Sequence, residues 1–150
     1  MTAIASSVGT SNIPAGESPA STGSGRKALW AGRVLSGLAV LFLGFDAVFK
    51  LTSADAAASA SAQLGWSASA ILQLGVIELL CLAVYLVPRT AVVGAVLWTG
   101  YLGGAVATHL RVGDPLPTHT LFPLYVAALL WGGLWLRDRR VRALIAPTRG

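Results

Sequence analysis

Glu78 is the residue most out of place in this chain. It stands in Gly75-Val76-Ile77-Glu78-Leu79-Leu80-Cys81, an apolar run with no basic residue within a helical turn of it. A charge at the centre of a membrane-crossing helix costs roughly 2.5 to 3.5 kcal/mol, so either another segment supplies a cation or the carboxyl is held neutral. Asp46 and Lys50 lie four residues apart in a second apolar run. That is the spacing of an ion pair on one helix face, and a lysine near a helix end also snorkels outward. In a third run Trp98, Tyr101, Ala105 and His109 follow i, i+3, i+7 and i+11 and share a face, with Arg111 just beyond. Gln73 and His119 complete the polar set. A few convergent polar groups in an apolar cavity are what binding of a small hydrophobic molecule needs. We therefore take Asp46, Lys50, Glu78, Trp98, Tyr101, His109 and Arg111 as candidate ligand-binding or proton-linked residues. The expected arrangement is an outward-facing polar pocket floored by Glu78 and walled by Trp98 and Tyr101. In the competing reading the same groups satisfy one another and fix helix register.

Other chemistry finds little support. His109 and His119 are ten residues apart with Pro115 and Pro117 between them, which is not a metal-ligand spacing on one helix. A site made of both histidines with Asp46 and Glu78 is the one metal alternative, and no metal ligand is assigned. Cys81 is the only cysteine, which excludes an intramolecular disulfide, a CxxC redox pair and a Cys-rich metal site, and it reads as a small packed hydrophobe. Gly94, Gly100, Gly103 and Gly104 fall inside an apolar run and resemble no phosphate loop. No Ser/His/Asp spacing suggests a nucleophile, so no catalytic residue is assigned, and no cofactor is indicated.

The elements that must position these side chains are transmembrane helices. Of the 150 residues 55% are hydrophobic and only 11% charged, a membrane-protein composition. The net charge of +5 does not make a nucleic-acid-binding face, because the basic residues sit beside long apolar segments. Four such segments, at about 28–51, 70–87, 91–110 and 119–136, are each close to the ~20 residues that cross a hydrocarbon core. Pro88-Arg89-Thr90 leaves room only for an antiparallel neighbour, and Thr52 to Ser69 makes one longer loop, partly helical at the membrane surface. With the N-terminus inside, Arg26, Lys27, Arg33, Arg89, Arg137, Arg139, Arg140, Arg142 and Arg149 are cytoplasmic, and only Lys50 and Arg111 lie outside. The bias fits four spans with both termini cytoplasmic. Trp30, Tyr85 and Trp135 then fall at the inner interface and Trp66 at the outer one. Residues 1–25, rich in Ser, Gly and Ala, read as a disordered tail that is not a signal peptide, and 137–150 as a basic cytoplasmic tail. The fold class expected is an all-α, four-helix antiparallel transmembrane bundle over 26–147.

Within lipid, helices associate through close approach of small residues and cross-helix hydrogen bonds. Gly100, Gly104 and Thr108 recur at i+4 as such a stripe, with looser ones at Gly32, Ser36 and Gly44 and at Ala128 and Gly132. Packing inside the bundle is the expected use of the stripe, and homodimerisation through Gly100 and Gly104 the alternative.

Several pieces taken in order and spacing resemble one family. They are Arg33-Val34-Leu35 through Phe45-Asp46-Ala47-Val48-Phe49-Lys50-Leu51, Leu64-Gly65-Trp66, Gly75 to Glu78-Leu79, and Tyr85-Leu86-Val87-Pro88-Arg89-Thr90. The block Gly94-Ala95 to Thr99-Gly100-Tyr101-Leu102-Gly103-Gly104-Ala105, its end Thr108-His109-Leu110-Arg111, and Trp131-Gly132-Gly133-Leu134-Trp135-Leu136-Arg137-Asp138 complete the pattern. Together, over roughly 28–147, they are similar to the DoxX-like family of small bacterial membrane proteins. The resemblance implies a four-helix bundle in the bacterial inner membrane. Through the relatives that name the family, it also implies a link to quinone-coupled sulfur oxidation and membrane redox complexes, an analogy of fold. The positions matching the family pattern are Asp46, Lys50, Glu78, His109 and Arg111, the ones polarity had selected. The function expected is a non-enzymatic membrane component that binds a small hydrophobic molecule such as a quinone, or assists a membrane redox partner protein. The alternatives are a proton-linked small transporter using Glu78, a structural assembly subunit, and a membrane enzyme using Glu78 and His109 as acid and base.

Overall fold

The computed structural model describes residues 22–145, and these form helices joined by short turns, with no strand among them. In chain order they are α1 (Thr22–Thr52), α2 (Ala54–Ala60), a 3-10 turn (Ala62–Leu64), α3 (Ala68–Leu86), α4 (Ala91–Val112), a π-helical turn (Leu116–Thr120), α5 (Phe122–Arg137) and α6 (Arg139–Ile145). Four stretches, Gly25–Thr52, Ala68–Leu86, Ala91–Val112 and Leu116–Arg137, are long and apolar enough to cross a bilayer.

Local chemistry sets the ends of these helices. The Ser67 hydroxyl accepts from the Ala70 amide at 3.3 Å and caps α3. Pro88 stops it, since proline offers no donor and disfavours helical backbone in the residue before it. Gly113, with φ +74°, closes α4 in the left-handed conformation that glycine takes without a steric penalty.

The bundle is a ring of four. α1 packs against α5 and α3, and α4 closes the ring by packing against α3 and α5. Each long helix buries one stripe: Gly32, Ser36, Ala39, Leu43 and Ala47 on α1, and Ile71, Gly75, Glu78, Leu82 and Tyr85 on α3. Ala91, Ala95, Trp98 and Leu102 on α4 meet Val126, Leu130 and Leu134 on α5. The outward faces carry Leu41, Phe45, Leu80 and Val96, all exposed. A surface this apolar needs a lipid solvent.

Glycine sits where backbones touch. A Cβ on Gly94 would lie 2.5 Å from the Cα and N of Tyr85, so α4 crosses α3 here only because position 94 has no side chain. Gly32 and Gly133 do the same between α1 and α5, where a Cβ on Gly32 would stand 2.9 Å from the Gly133 carbonyl oxygen.

Several expectations are corrected. The stripe of Gly100, Gly104 and Thr108 does not pack within the bundle: a Cβ at either glycine meets nothing within 4 Å, and the Thr108 hydroxyl turns back to the Gly104 carbonyl at 2.9 Å. Spacing shows that residues share a face, and not that the face meets a neighbour. Tyr85, near the end of α3, is fully buried between the helices. α1 begins at Thr22, so the last residues assigned to the tail are its first turn, and part of the basic tail folds as α6, with Val141 buried against the core. The remainder of the expected tail, 1–21, and the last five residues, 146–150, lie outside the described residues. The second, third and fourth spans shift by up to three residues at their ends, most at the fourth, where Gly113 and Pro115 break the chain between α4 and the π-helical turn that leads into α5.

Candidate functional site

Lys50 is the centre of the polar interior. Rising near the end of α1, it bends its chain back toward the helix start, as helical side chains do. Its Nζ donates to Asp46 Oδ2 at 2.6 Å, to Glu78 Oε1 at 3.0 Å and to the Tyr101 hydroxyl at 3.2 Å. An ammonium has three protons, and all three find acceptors on three helices, α1, α3 and α4. Its Nζ also stands 5.7 Å from the Tyr101 ring centroid. Gly75 makes the geometry accessible: a Cβ there would come within 2.9 Å of Lys50 Cβ, so only glycine lets α1 lie this close to α3.

Burial is graded across the cluster. The Glu78 side chain is 1% exposed, that of Lys50 16% and that of Asp46 36%. The cluster therefore runs from a sealed floor at Glu78 to an open edge at Asp46. One cation faces two carboxyl groups, one sealed and one at the open edge. Two polar atoms of the bundle interior are buried without a partner, Glu78 Oε2 on α3 and Trp98 Nε1 on α4. Trp98 is fully buried and meets the Tyr101 ring edge-on at 5.4 Å. A buried donor or acceptor left unmade costs about 1 to 3 kcal/mol.

His109 and Arg111 belong to a second, separate group at the same end of the bundle. His109 Nδ1 donates to Asp114 Oδ2 at 2.6 Å, and its ring lies 6.2 Å from that of His119, whose Nδ1 is 2.9 Å from the Thr118 hydroxyl. Arg111 donates to the Leu64 carbonyl, tying α4 to the 3-10 turn. These contacts hold the loops over the mouth of the bundle. Among the described residues no three His, Cys, Asp or Glu side chains are placed to hold one metal ion, and the histidines do not join Asp46 and Glu78. Gln73 is exposed on the outer face of α3.

Sequence reasoning missed two partners. Asp114 follows His109 by five residues across a helix-ending glycine, and an acid just past a C-cap was the available signal. Tyr85 donates to the Leu130 carbonyl at 3.0 Å and so receives its bond from Ser36 Oγ at 3.1 Å, which joins α3 to α1 and α5. Nothing in its position beside Pro88 marked it as a core residue.

Four apolar helices around a small charged interior define a multi-pass membrane protein. The chain belongs to the DoxX-like family, whose model matches residues 34–133, from the first turns of α1 to Gly133 in α5. That range contains Asp46, Lys50, Glu78, Trp98, Tyr101, His109 and Arg111. Comparison with curated proteins and with solved structures gave no match.

Proposed function

We propose that the protein is a non-enzymatic membrane component that binds a small hydrophobic molecule by its polar end at the floor of the Lys50 cluster. The observation that carries this reading is the pair of buried, unpartnered atoms, Glu78 Oε2 and Trp98 Nε1. One is an acceptor when the carboxyl is ionised and the other a donor only. A hydroxyl satisfies both at once, giving its proton to Glu78 and taking that of the indole. A quinol, a hydroxyl-bearing ring with an apolar body, has this chemistry, and the rings of Trp98 and Tyr101 suit its faces. Asp46, the open edge of the cluster, is the side from which such a molecule enters. The bias of Lys and Arg supports a reading in which that side faces outward from a bacterial inner membrane. In this reading His109 and Arg111 shape the mouth, and delivery of the molecule to a membrane redox partner is the role that follows.

The test uses the intact protein extracted gently from its own membranes. Native mass spectrometry compares wild type with Glu78→Gln, and titration of a short-chain benzoquinol follows tryptophan fluorescence. A bound small molecule and saturable quenching in wild type, both lost in Glu78→Gln and with quenching lost in Trp98→Phe, is the expected result. Identical, non-saturating quenching in all three proteins would refute the proposal.

A second reading draws on the sharing of one ammonium by two carboxylates, an arrangement suited to holding and releasing a proton. As a proton-linked transporter the protein would lose pH-driven uptake in Glu78→Gln while keeping its fold.

A further inference from the structure

The end of the bundle where α1 starts and α5 finishes carries Arg26, Lys27, Arg33, Arg89, Arg137, Arg139, Arg140 and Arg142, with Asp138 the only carboxylate there among the described residues. No ion pair among the described residues involves any of these eight cations. Asp138 is engaged elsewhere, its Oδ1 accepting from the Arg140 amide at 2.8 Å. Most of these cations are exposed and screened by solvent. Arg137 and Arg142 differ: both are partly buried, and the Nε of each is closed off from water with no acceptor.

The Arg137 side chain is held against the core, and Arg142 lies on a helix docked on it. The Arg137 guanidinium lies 5.1 Å from the centroid of the Tyr85 ring, and Tyr85 is itself fixed by Ser36 and the Leu130 carbonyl. Arg142 follows Val141, whose burial docks α6 against the bundle. A preorganised guanidinium without an acid is a site in want of an anion. We propose that Arg137 and Arg142 bind the phosphate of an anionic membrane lipid. The planar fork of arginine matches phosphate oxygens two at a time, and basic sites at the ends of transmembrane helices meet lipid headgroups. Lipid is favoured over free phosphate because the site adjoins apolar surface. Leu29, Trp30 and Trp135 are exposed at this end, where acyl chains and headgroup meet, and tryptophan concentrates at that level. Arg137 and Arg142 lie beyond the residues matched by the family model, so the proposal stands apart from the Lys50 cluster.

The experiment places the full-length protein in phosphatidylcholine nanodiscs containing phosphatidylglycerol and counts retained lipids by native mass spectrometry. Wild type is expected to retain phosphatidylglycerol in preference to phosphatidylcholine. Arg137→Gln/Arg142→Gln is expected to hold it about thirtyfold more weakly, from the loss of charge-assisted hydrogen bonds to the phosphate. The control Arg139→Gln/Arg140→Gln removes equal charge from exposed positions and should change retention by less than about threefold. Equal losses in the two double variants, or no preference in wild type, would overturn the site. Displacement of the lipid by millimolar inorganic phosphate would overturn lipid as its ligand. Arg137→Lys, which keeps the charge but not the fork, is expected to fall between wild type and the double variant. Should Arg137→Gln fail to fold, Arg142→Gln against Arg140→Gln makes the same comparison.

Discussion

Removing the cation from the Lys50 cluster should cost far more than removing either acid. Lys50→Met takes away the only positive charge near Glu78, whose side chain is 1% exposed, and leaves two carboxyls with the Tyr101 hydroxyl as the one remaining donor of the cluster. Breaking a buried pair by deleting one member costs about 3 to 5 kcal/mol, because the other is left buried and uncompensated. Glu78→Gln still lets Lys50 bond Asp46 and Tyr101, so about 1 kcal/mol is expected. Asp46 is more than a third exposed, and Asp46→Asn should cost about 0 to 1 kcal/mol. The decisive protein is Lys50→Met/Glu78→Leu, in which both charges are replaced by apolar side chains of similar bulk. Such replacements are often neutral, so the double variant should recover most of what Lys50→Met loses. Reversible unfolding in bicelles, followed by steric trapping or by denaturing detergent, gives each free energy. If the double variant is as unstable as the sum of its two single variants, the residues are not coupled and the geometry described for Lys50 is wrong.

Other consequences are as direct. Gly94→Leu drives a side chain into the Tyr85 backbone and should cost at least the ~1 to 3 kcal/mol of overpacking, whereas Gly100→Ala, with open space around it, should leave the stability of the single chain unchanged in the same unfolding assay. Tyr85→Phe removes a hydroxyl bonded to Ser36 and to the Leu130 carbonyl, and unfolding should show a loss of about 1 to 3 kcal/mol. Arg111→Gln frees the Leu64 carbonyl, so amide hydrogen exchange over Ala62–Leu64 should quicken while the long helices keep their protection.

The four spans were legible because hydrocarbon thickness imposes a length on any crossing helix, and the sequence meets it four times. The Asp46 and Lys50 pair was equally legible, since four residues on a helix is a fixed geometry. Which helix supplies the partner of Glu78 was not legible. That depends on the order of helices around the ring, and hydropathy is blind to it. The glycines show the same limit. Gly100 and Gly104 had the more regular spacing, yet Gly32, Gly75, Gly94 and Gly133 make the contacts, because contact depends on how a helix is turned about its axis. Asp114 escaped because it follows the helix-ending Gly113, where sequence reads as turn, and the bonds of Tyr85 escaped because an aromatic near the end of a span reads as an interface residue.

The Lys50 cluster also bears on how the chain is made. α1 leaves the ribosome first, already carrying Asp46 and Lys50 at pairing distance, and so enters the bilayer with its charges offset. α3 follows with Glu78, which has no cation of its own. It emerges beside a helix that holds one, and Gly75 lets the two meet backbone to backbone. α4 arrives next on a four-residue turn and brings Tyr101 to the last ammonium proton. The order of the genetic message thus puts the counter-charge in place before the residue that needs it. A circularly permuted chain beginning at α3 would have to insert Glu78 alone.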